Sequence, residues 1–355
     1  MYVITGGAGF VGSSLALDLG RAFPGARITV LDNLHRRGSE LNVPRLLAAG
    51  VHFVHGDIRC PEDLRSLTEP PELIIECSAE PSAQAGYGGS PEFLIQTNLV
   101  GCYHCLELAR ETKADFLFLS TSRVYPVESL NRLAFREEES RFILLPEQTL
   151  PGASAEGVGE SFPLTGARSL YGMTKLAGEL MVTEYAAAYG LRCAIDRCGL
   201  IAGPWQMGKT DQGVISLWMA AHFFRRPLQY IGFGGGGKQV RDILHIADLC
   251  DLVREQVRSF HLYAGTLFNV GGGLAGSLSL REMTGICEEI TGNRIAIGSS
   301  PADRPADVRI YLTDHARLTE FSGWRPRRSP RVVLGDIFAW IREEQDRLAP
   351  VLGCP

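Results

Sequence analysis

The sequence lacks the features that would place it in a membrane, outside the cell or on nucleic acid. None of its apolar runs is long enough to span a bilayer. Strand-like sequence begins at Tyr2 with no charged segment and apolar stretch ahead of it, so we expect no signal peptide. The net charge is −5, which argues against nucleic acid as a partner. We therefore expect a cytoplasmic protein that binds neither membranes nor nucleic acid.

The chain also lacks a cysteine pattern typical of disulfides or zinc. Its nine cysteines are odd in number and lie mostly inside apolar runs, as expected of reduced thiols. Cys102 and Cys105 form one C-x-x-C, but no second Cys or His pair follows at zinc-finger spacing. We interpret the pair as buried core residues of a helix, with a redox or metal site as the alternative. No metal site is predicted.

What the first half of the chain does contain is an alternation of short apolar strands with helical stretches. Examples are MYVIT, LALDLGRAF, ARITVLD, VHFVHGD, ELIIECSAE and FLFLSTS. This alternation predicts an α/β fold: a doubly wound parallel sheet with helices on both faces. For 355 residues we expect a first domain over 1–202, which includes a long loop at 127–168. A smaller α/β region would cover 203–355 and return some segments to the first sheet.

A glycine-rich turn directly follows the first predicted strand. In VITGGAGFVGSS, Gly6, Gly9 and Gly12 lead into the first helix. Glycine lets backbone N–H groups and the helix N-terminus approach a pyrophosphate closely. Asp32, about 20 positions further on, ends the next strand and suits an adenosine ribose. The pattern predicts a Rossmann domain, and because Asp32 would repel a 2′-phosphate, it favours NAD over NADP.

Residues close to this fingerprint refine the cofactor prediction. Arg36 and Arg37 could accommodate a 2′-phosphate, so NADP stays open as an alternative. Asp57 and Ile58, in HGDIRC after the following strand, would suit the adenine edge. Asp57 also has the position of a helix N-cap, and both roles are compatible.

A tyrosine and a lysine share one helix face in SLYGMTKLAGELM. Tyr171 and Lys175 are four residues apart, which places them one turn from each other. Free tyrosine, with a pKa of about 10, is a poor base at neutral pH. An ammonium group beside it favours the phenolate. Together with the fingerprint, the pair predicts catalysis of proton transfer next to a bound dinucleotide.

These motifs carry a family resemblance that covers nearly the whole chain. The sequence resembles the extended short-chain dehydrogenase/reductases, in the nucleotide-sugar epimerase/dehydratase group, through TGGAGFVG, LDNL, GDIR, NLVG, STSRVYP, YGMTK, KQVRDILHIADL and the Gly-Trp of 323–324. GPWQMGKTDQG and DNLHRRGSE are most similar to the CDP-paratose 2-epimerase (CDP-tyvelose epimerase) subgroup. The resemblance implies tightly held NAD, a nucleoside-diphosphate sugar as substrate (a CDP-sugar favoured) and a homodimer formed through two helices per subunit.

The motif residues and the resemblance together assign the site. The catalytic set would be Tyr171, Lys175 and Thr121, with Tyr171 taking the proton of a sugar hydroxyl and Thr121 sharing its hydrogen bond. The cofactor would be held by Gly6, Gly9, Phe10, Val11, Gly12, Asp32, Asn33, Asp57, Ile58, Ser78, Ala79, Asn98, Ser120, Tyr171 and Lys175. The substrate would be held by Glu80, Ser122, Arg123, Gln206, Gln212, Gln239, Arg241 and Arg304, with Arg241 and Arg304 on the diphosphate.

The chain departs from the family pattern at three places. Where the family usually has His-Leu-Ala-Ala after the fourth strand, this chain has Glu76 and the residues Cys-Ser-Ala. Leu200 stands where an asparagine often contacts substrate. Dehydratases of the family place an acidic pair after the catalytic hydroxyl, and here those positions are Ser122 and Arg123.

The third departure selects among reactions. Neither Ser122 nor Arg123 can replace a carboxylic acid in removing water across a sugar ring, so a dehydratase is disfavoured. Epimerisation needs only the Tyr–Lys–Thr set, bound NAD and a roomy pocket. We therefore predict an epimerase acting at C2 or C4 by transient oxidation to a keto sugar. The alternatives are an NAD(P)-dependent reductase, dehydratase or decarboxylase of the same family, and a non-catalytic NAD-sensing protein.

Overall fold

The computed structural model describes residues 1–208 and 212–353. Its strands are β1 Tyr2–Thr5, β2 Ile28–Asp32, β3 His52–His55, β4 Leu73–Glu76, β5 Asp115–Thr121, β6 Phe135–Glu137, β7 Phe142–Leu144, β8 Ala153–Ser154, β9 Gly157–Val158, β10 Cys193–Cys198, β11 Leu200–Ala202, β12 Leu228–Ile231, β13 Val240–His245, β14 Leu267–Val270, β15 Ser277–Ser279, β16 Ile297–Ser300 and β17 Ile310–Tyr311. Its α-helices are α1 Phe10–Ala22, α2 Val43–Ala48, α3 Pro61–Arg65, α4 Glu92–Ile95, α5 Gly101–Thr112, α6 Val127–Asn131, α7 Leu170–Tyr189, α8 Val214–Phe223, α9 Ile246–Arg258, α10 Phe260–Tyr263, α11 Leu280–Thr291, α12 Ala316–Ser322, α13 Pro330–Glu343 and α14 Gln345–Leu348.

A seven-stranded sheet has the strand order β14-β10-β5-β4-β1-β2-β3. The pairs β1–β2, β1–β4, β2–β3 and β4–β5 are all parallel. The order reverses direction between β1 and β4, and ligands bind at such a switch point, outside the carboxyl ends of the strands. The predicted doubly wound α/β fold is confirmed.

Burial explains why these segments become strands of a parallel sheet. Every residue of β5, DFLFLST, is buried, as expected where helices cover both faces. Helix α7 packs closely on β5 because Gly178 has no side chain. A Cβ there would lie 2.6 Å from Cζ of Phe118. The same core contains Cys102 and Cys105, which are free, fully buried thiols.

Helix α5 continues a longer helical segment that begins with α4. Between the two lies a π-helical turn, Gln96–Val100, which contains Asn98. Single π turns often occur at functional sites, because the widened turn redirects side chains. Here the turn directs the buried amide of Asn98 towards the end of β4.

The chain folds into two compact units, and each unit is built from three separate segments of the sequence. The first comprises Met1–Val124, Leu170–Arg197 and Leu249–Phe268; the second comprises Tyr125–Ser169, Cys198–Asp248 and Asn269–Pro355. The pattern of strands and helices in the sequence predicts a single division of the chain, after residue 202. Units built this way arise because the chain leaves the large sheet after β5 and later returns to it with β10 and β14.

The second unit contains small sheets of its own. Strands β11, β13, β15 and β17 form a four-stranded sheet in which β13 pairs with the other three. Strand β12 pairs with β16 in parallel. The segment 127–168, which the sequence analysis described as a long loop, contains helix α6 and two short antiparallel pairs, β6–β7 and β8–β9. Its strands are only two or three residues long, too short to produce a recognisable alternation.

Candidate active site

The glycine turn after β1 is packed too tightly for side chains. Gly6 has φ +63°, and a Cβ there would lie 2.9 Å from the backbone of Cys77 at the end of β4. A Cβ on Gly12 would lie 2.3 Å from the carbonyl oxygen of Gly6. These contacts hold the turn against the carboxyl ends of β1 and β4, where a dinucleotide binds in this fold.

Helix α1 begins at this turn without a side-chain cap. Its N-cap residue, Gly9, contributes no side-chain hydrogen bond, and Phe10 and Val11 form the first helical turn with half-buried side chains. The first N–H groups of the 13-residue helix therefore remain available to an anion. This arrangement fits the pyrophosphate of NAD.

Asp32 ends β2 beside the glycine turn. Its carboxylate accepts hydrogen bonds from the backbone N–H groups of Ala8, at 3.0 Å, and Leu34, at 2.8 Å. Burial raises the pKa of Asp32, and these backbone donors oppose the rise. A carboxylate held in this way still has lone pairs for ribose hydroxyls. Its position fits the predicted role towards NAD.

Asp57 forms a hydrogen bond with Asn33, the residue that follows Asp32. Asn33 donates from Nδ2 to Asp57 at 2.8 Å, and Arg59 contributes a salt bridge of 2.6 Å. Burial opposes ionisation of Asp57, but Arg59 and Asn33 outweigh it and lower the pKa to about 2. Ile58 is buried, and a Cβ on Gly101 would lie 2.4 Å from its Cδ1. The cofactor roles of these residues remain predictions.

The loop after β4 is tied to helix α7 by Asn98. The Asn98 side chain accepts from the backbone N–H of Glu80 at 2.8 Å and donates to the Glu80 carbonyl at 3.1 Å. It also donates to Oγ1 of Thr174 at 3.2 Å, and Thr174 in turn donates to the Tyr171 carbonyl at 2.8 Å. Asn98 was predicted to contact the cofactor. That contact stays a prediction; in the structure the Asn98 amide fixes the loop that carries Ser78 and Ala79 to α7.

Lys175 and Tyr171 are both buried on α7. The Lys175 Nζ lies 3.4 Å from Oε2 of Glu76, the last residue of β4, and 4.3 Å from the ring centroid of Phe118. Burial alone would lower the pKa of Lys175, but Glu76, followed by Tyr171, outweighs it and the pKa is raised. Lys175 therefore lies beside the last residue of β4, whose carboxylate favours the charged form of the lysine.

The hydroxyl cluster at the end of β5 divides between two roles. Thr121 is buried, and its Oγ1 accepts from the backbone N–H of Arg123 at 3.2 Å. That bond orients the oxygen and leaves the O–H to donate elsewhere. Ser122 and Arg123 follow in a 3₁₀ turn and are half-buried. Ser120 donates to the buried carboxylate of Glu179 at 2.5 Å, and its predicted contact with the cofactor stays a prediction.

The second unit contains the remaining predicted substrate residues. Gln206 donates to the Ile201 carbonyl and accepts from Ser216, so both ends of its amide have partners within this unit. Gln239 donates to the carbonyl of Ile231, while its Oε1 is buried without a hydrogen-bond partner among the described residues. Gln212 is half-buried.

The two arginines predicted at the diphosphate also lie in the second unit. Arg241 forms a salt bridge of 2.8 Å with Asp307 and donates to the Val308 carbonyl at 2.6 Å. Arg304 is half-buried in the segment after β16. The neighbouring carboxylates of Asp303 and Asp307 accept hydrogen bonds from the Phe233 backbone N–H and from Arg241. The structure thus gives Arg241 a structural role besides the predicted one.

Sequence reasoning missed three residues of this site. Glu179 and Arg197 form a buried salt bridge with two hydrogen bonds. The Glu179 carboxylate also accepts a hydrogen bond from the Ser120 hydroxyl. Glu76 was recorded only as a departure from a family pattern. The signal for each was an ionisable residue inside an apolar segment, which usually has a partner or a function.

A residue set of this kind defines a Rossmann-fold enzyme that works through a bound dinucleotide. The chain belongs to the NAD dependent epimerase/dehydratase family, whose model matches residues 2–271. NAD is therefore its cofactor, and the predicted preference is confirmed at family level. Among the described residues, no helix is long and apolar enough to cross a membrane.

Curated relatives include both epimerases and dehydratases. The chain is 28% identical over 345 residues to CDP-paratose 2-epimerase of Salmonella typhi, covering 95% of this chain and 98% of that protein. It is also 28% identical over 354 residues to dTDP-glucose 4,6-dehydratase of Streptomyces antibioticus, covering 97% and 92%. Among solved structures, UDP-glucose 4-epimerase of Thermus thermophilus in complex with NAD has a TM-score of 0.77 at 25% identity, covering 96% of this chain and 98% of that one. These relatives confirm the family and leave the reaction to the site residues.

Proposed function

We propose that the chain is an NAD-dependent epimerase of a nucleoside-diphosphate sugar. The observation that carries the proposal is the sequence at the end of β5. The catalytic hydroxyl of Thr121 is followed by Ser122 and Arg123 in a 3₁₀ turn, while Tyr171 and Lys175 are in place on α7. Thr121, Tyr171 and Lys175 can together move the proton of a hydroxyl group. Ser122 and Arg123 supply no carboxylic acid that could help to remove water.

The residues of the chain would act on one sugar hydroxyl. Tyr171 is the base that takes its proton, and the ammonium of Lys175 favours the phenolate form that does so. The Thr121 hydroxyl donates to the same oxygen and stabilises it as it becomes a ketone. When bound, NAD supplies a reversible acceptor for the hydride of the neighbouring carbon. Inversion with no net redox change is complete when the hydride returns to the opposite face of the same carbon and Tyr171 gives its proton back to the oxygen.

The dehydratase alternative needs a general acid and base near the hydroxyl. The alcohol of Ser122 is not acidic enough for this role, and the guanidinium of Arg123 is not a carboxylic acid. The dehydratase relatives are as similar in identity as the epimerase, so overall similarity does not separate the two reactions. The residues that would carry the chemistry favour epimerisation.

For the substrate we propose a nucleoside-diphosphate sugar and leave two alternatives for the nucleotide and the inverted carbon. The CDP-paratose 2-epimerase relative supports a CDP-sugar inverted at C2, whereas the UDP-glucose 4-epimerase structure supports C4. We assign cofactor binding to residues 1–202 and nucleotide-sugar binding mainly to 203–355, with Arg241 and Arg304 on the diphosphate. A cytoplasmic role in carbohydrate biosynthesis follows from such a substrate.

We also propose a homodimer. Helices α5 and α7 expose large apolar side chains that solvent would not favour: Tyr103 (45% exposed) on α5, and Leu180 (62%) and Tyr189 (57%) on α7. Two helices per subunit are what the family resemblance predicts for the interface. An apolar stripe shared by two adjacent helices suits pairing with a second copy.

The test is turnover of a nucleotide sugar without added reductant. An epimerase with bound NAD returns the hydride that it removes, so the purified protein should convert substrate through many cycles with no NAD(P)H supplied. Tyr171→Phe should retain its NAD and lose activity by roughly 100-fold or more. Turnover that requires continuous NADPH would instead establish a reductase.

A further inference from the structure

A buried carboxylate stands beside the lysine of the catalytic set. Glu76 ends β4 and is 1% exposed, and Lys175 on α7 is 3% exposed. Oε2 of Glu76 and Nζ of Lys175 are 3.4 Å apart. The other carboxylate oxygen, Oε1, is buried and has no hydrogen-bond partner among the described residues. The proposed reaction assigns no step to this acid, although its burial requires an explanation.

The two charges depend on each other. A fully buried lysine tends to lose its proton, because its surroundings penalise the charged form. Glu76 reverses this tendency and the pKa of Lys175 is raised overall. Burial raises the pKa of Glu76, and Lys175 together with the backbone N–H of Ser78 opposes that rise. Without its partner, either buried group would be driven towards its neutral form.

The other groups that face the pair, within the part of the chain that the structure describes, do not provide a counter-charge. Cys77 after β4, and Cys102 and Cys105 on α5, lie close enough to interact with Glu76 electrostatically. Burial raises the pKa of all three thiols, so they remain neutral. The Phe118 ring, 4.3 Å from Nζ, adds only the weak attraction of an aromatic face. Besides Tyr171 itself, Glu76 is therefore the anion that can keep Lys175 charged.

We propose that Glu76 is a positioning residue for the reaction: it keeps Lys175 protonated and holds the ammonium beside Tyr171. This inference rests on the proposed function, in which Tyr171 is the base. The bond from Lys175 to Glu76 joins α7 to β4, so the carboxylate also limits where the ammonium can move. A neutral residue at position 76 removes both effects while leaving Tyr171 and Thr121 unchanged.

The test is a direct titration of Lys175. The chain contains only four lysines, Lys113, Lys175, Lys209 and Lys238, so ¹³C labelling at lysine Cε gives few NMR signals. The signal that disappears in Lys175→Arg identifies Lys175. In Glu76→Gln its titration midpoint should move to lower pH, while in Glu111→Gln, an exposed control on α5, it should stay where it is in the wild type. An unchanged midpoint in Glu76→Gln overturns the proposal.

Kinetics separate positioning from a purely structural role. In Glu76→Gln, kcat at neutral pH should fall roughly 100-fold and the alkaline limb of its pH profile should move to lower pH. KM for the sugar should change by less than about twofold, because the Glu76 side chain is only 1% exposed. Glu76→Asp, which keeps the charge, should recover part of both properties and serves as the test variant if Glu76→Gln fails to fold. A Glu76→Gln variant in which KM and kcat both change, while the pH profile of kcat stays where it is in the wild type, would overturn the proposal.

The two experiments distinguish this inference from the proposed function. The NMR titration needs no substrate. A lowered Lys175 midpoint in a protein that epimerises no sugar would support the role of Glu76 in holding the charge and reject the proposed reaction. If the protein is an active epimerase and the titration midpoint of Lys175 is the same in Glu76→Gln as in the wild type, only the role of Glu76 is rejected.

Discussion

Ser120 donates a hydrogen bond of 2.5 Å from its Oγ to Oε1 of Glu179, a residue 59 positions away in the sequence. Arg197 binds the same carboxylate at two points, with Nε 3.0 Å from Oε1 and Nη2 2.7 Å from Oε2. The three residues belong to β5, α7 and β10. They fix α7 against the sheet next to Thr121 and one helical turn from Lys175. The geometry of the catalytic set therefore depends on this buried group.

Breaking the group should destabilise the protein strongly. Arg197→Met leaves the Glu179 carboxylate buried without its cation, which costs about 3–5 kcal/mol of unfolding free energy. Urea unfolding followed by circular dichroism measures the loss. Glu184→Gln, on the exposed side of the same helix, should change stability by less than about 0.5 kcal/mol. A loss below about 1 kcal/mol in Arg197→Met would show that the network does not hold the helix.

Asp32 should determine the choice between NAD and NADP. Its carboxylate suits ribose hydroxyls and repels a 2′-phosphate, so Asp32→Ser should raise affinity for NADP relative to NAD by roughly tenfold or more. Isothermal titration of cofactor-free protein with both dinucleotides measures the ratio. Asp18→Asn, further along α1 and paired with Arg254, is the matched control and should keep the wild-type ratio. An unchanged ratio in Asp32→Ser would show that Asp32 does not determine the choice of dinucleotide.

Asp196 should make stability depend on pH near neutrality. It is 0% exposed on β10, and its carboxylate accepts a hydrogen bond from Gln256 at 3.0 Å. Burial raises its pKa from 3.8 to about 7. The folded state therefore binds this proton more tightly than the unfolded state. The resulting stability is fully present below about pH 4 and is lost as pH rises to 7, by roughly 2–4 kcal/mol.

Urea unfolding at pH 5 and pH 8 tests this prediction. Asp196→Asn has no ionisable group at the site, so it should lack the component of stability that the wild type loses between these pH values. The exposed control Asp346→Asn should behave like the wild type. If wild type and Asp196→Asn show the same difference between the two pH values, Asp196 does not titrate in this range.

The exposed apolar residues of α5 and α7 should form the dimer interface. Leu180→Glu places a charge in the centre of that surface and should convert a dimer to a monomer, as measured by light scattering after gel filtration. Leu262, 59% exposed on α10, provides a control of the same type, and Leu262→Glu should remain dimeric. A wild-type protein that is monomeric at micromolar concentration would contradict the proposed assembly.

Local signals allowed much of the fold and the cofactor site to be predicted. Gly6, Gly9 and Gly12 lie within seven residues. They indicate a dinucleotide site because they follow one predicted strand and lead through a turn into one predicted helix. Asp32 was predicted to end β2, and it does. Tyr171 and Lys175 were recognisable because one helical turn separates them.

Partners distant in sequence could not be predicted in the same way. Glu76 and Lys175 are 99 positions apart, and no spacing rule connects them. The hydroxyl of Ser120 donates to Glu179, 59 positions away, a partner that the neighbours of Ser120 in the chain did not indicate; its predicted contact with the cofactor stays a prediction. The same limit applies to the segment 127–168. Its short paired strands depend on tertiary contacts and lack a periodic pattern of their own.

NMR of CDP-, UDP- and dTDP-sugars incubated with the purified protein in deuterated water separates epimerisation from dehydration in one experiment. We expect inversion at one ring carbon, C2 or C4, without deuterium at that carbon, because the hydride removed is the one returned. Tyr171→Phe should give no product under the same conditions. Loss of water from the sugar with uptake of deuterium would contradict epimerisation and establish a dehydratase.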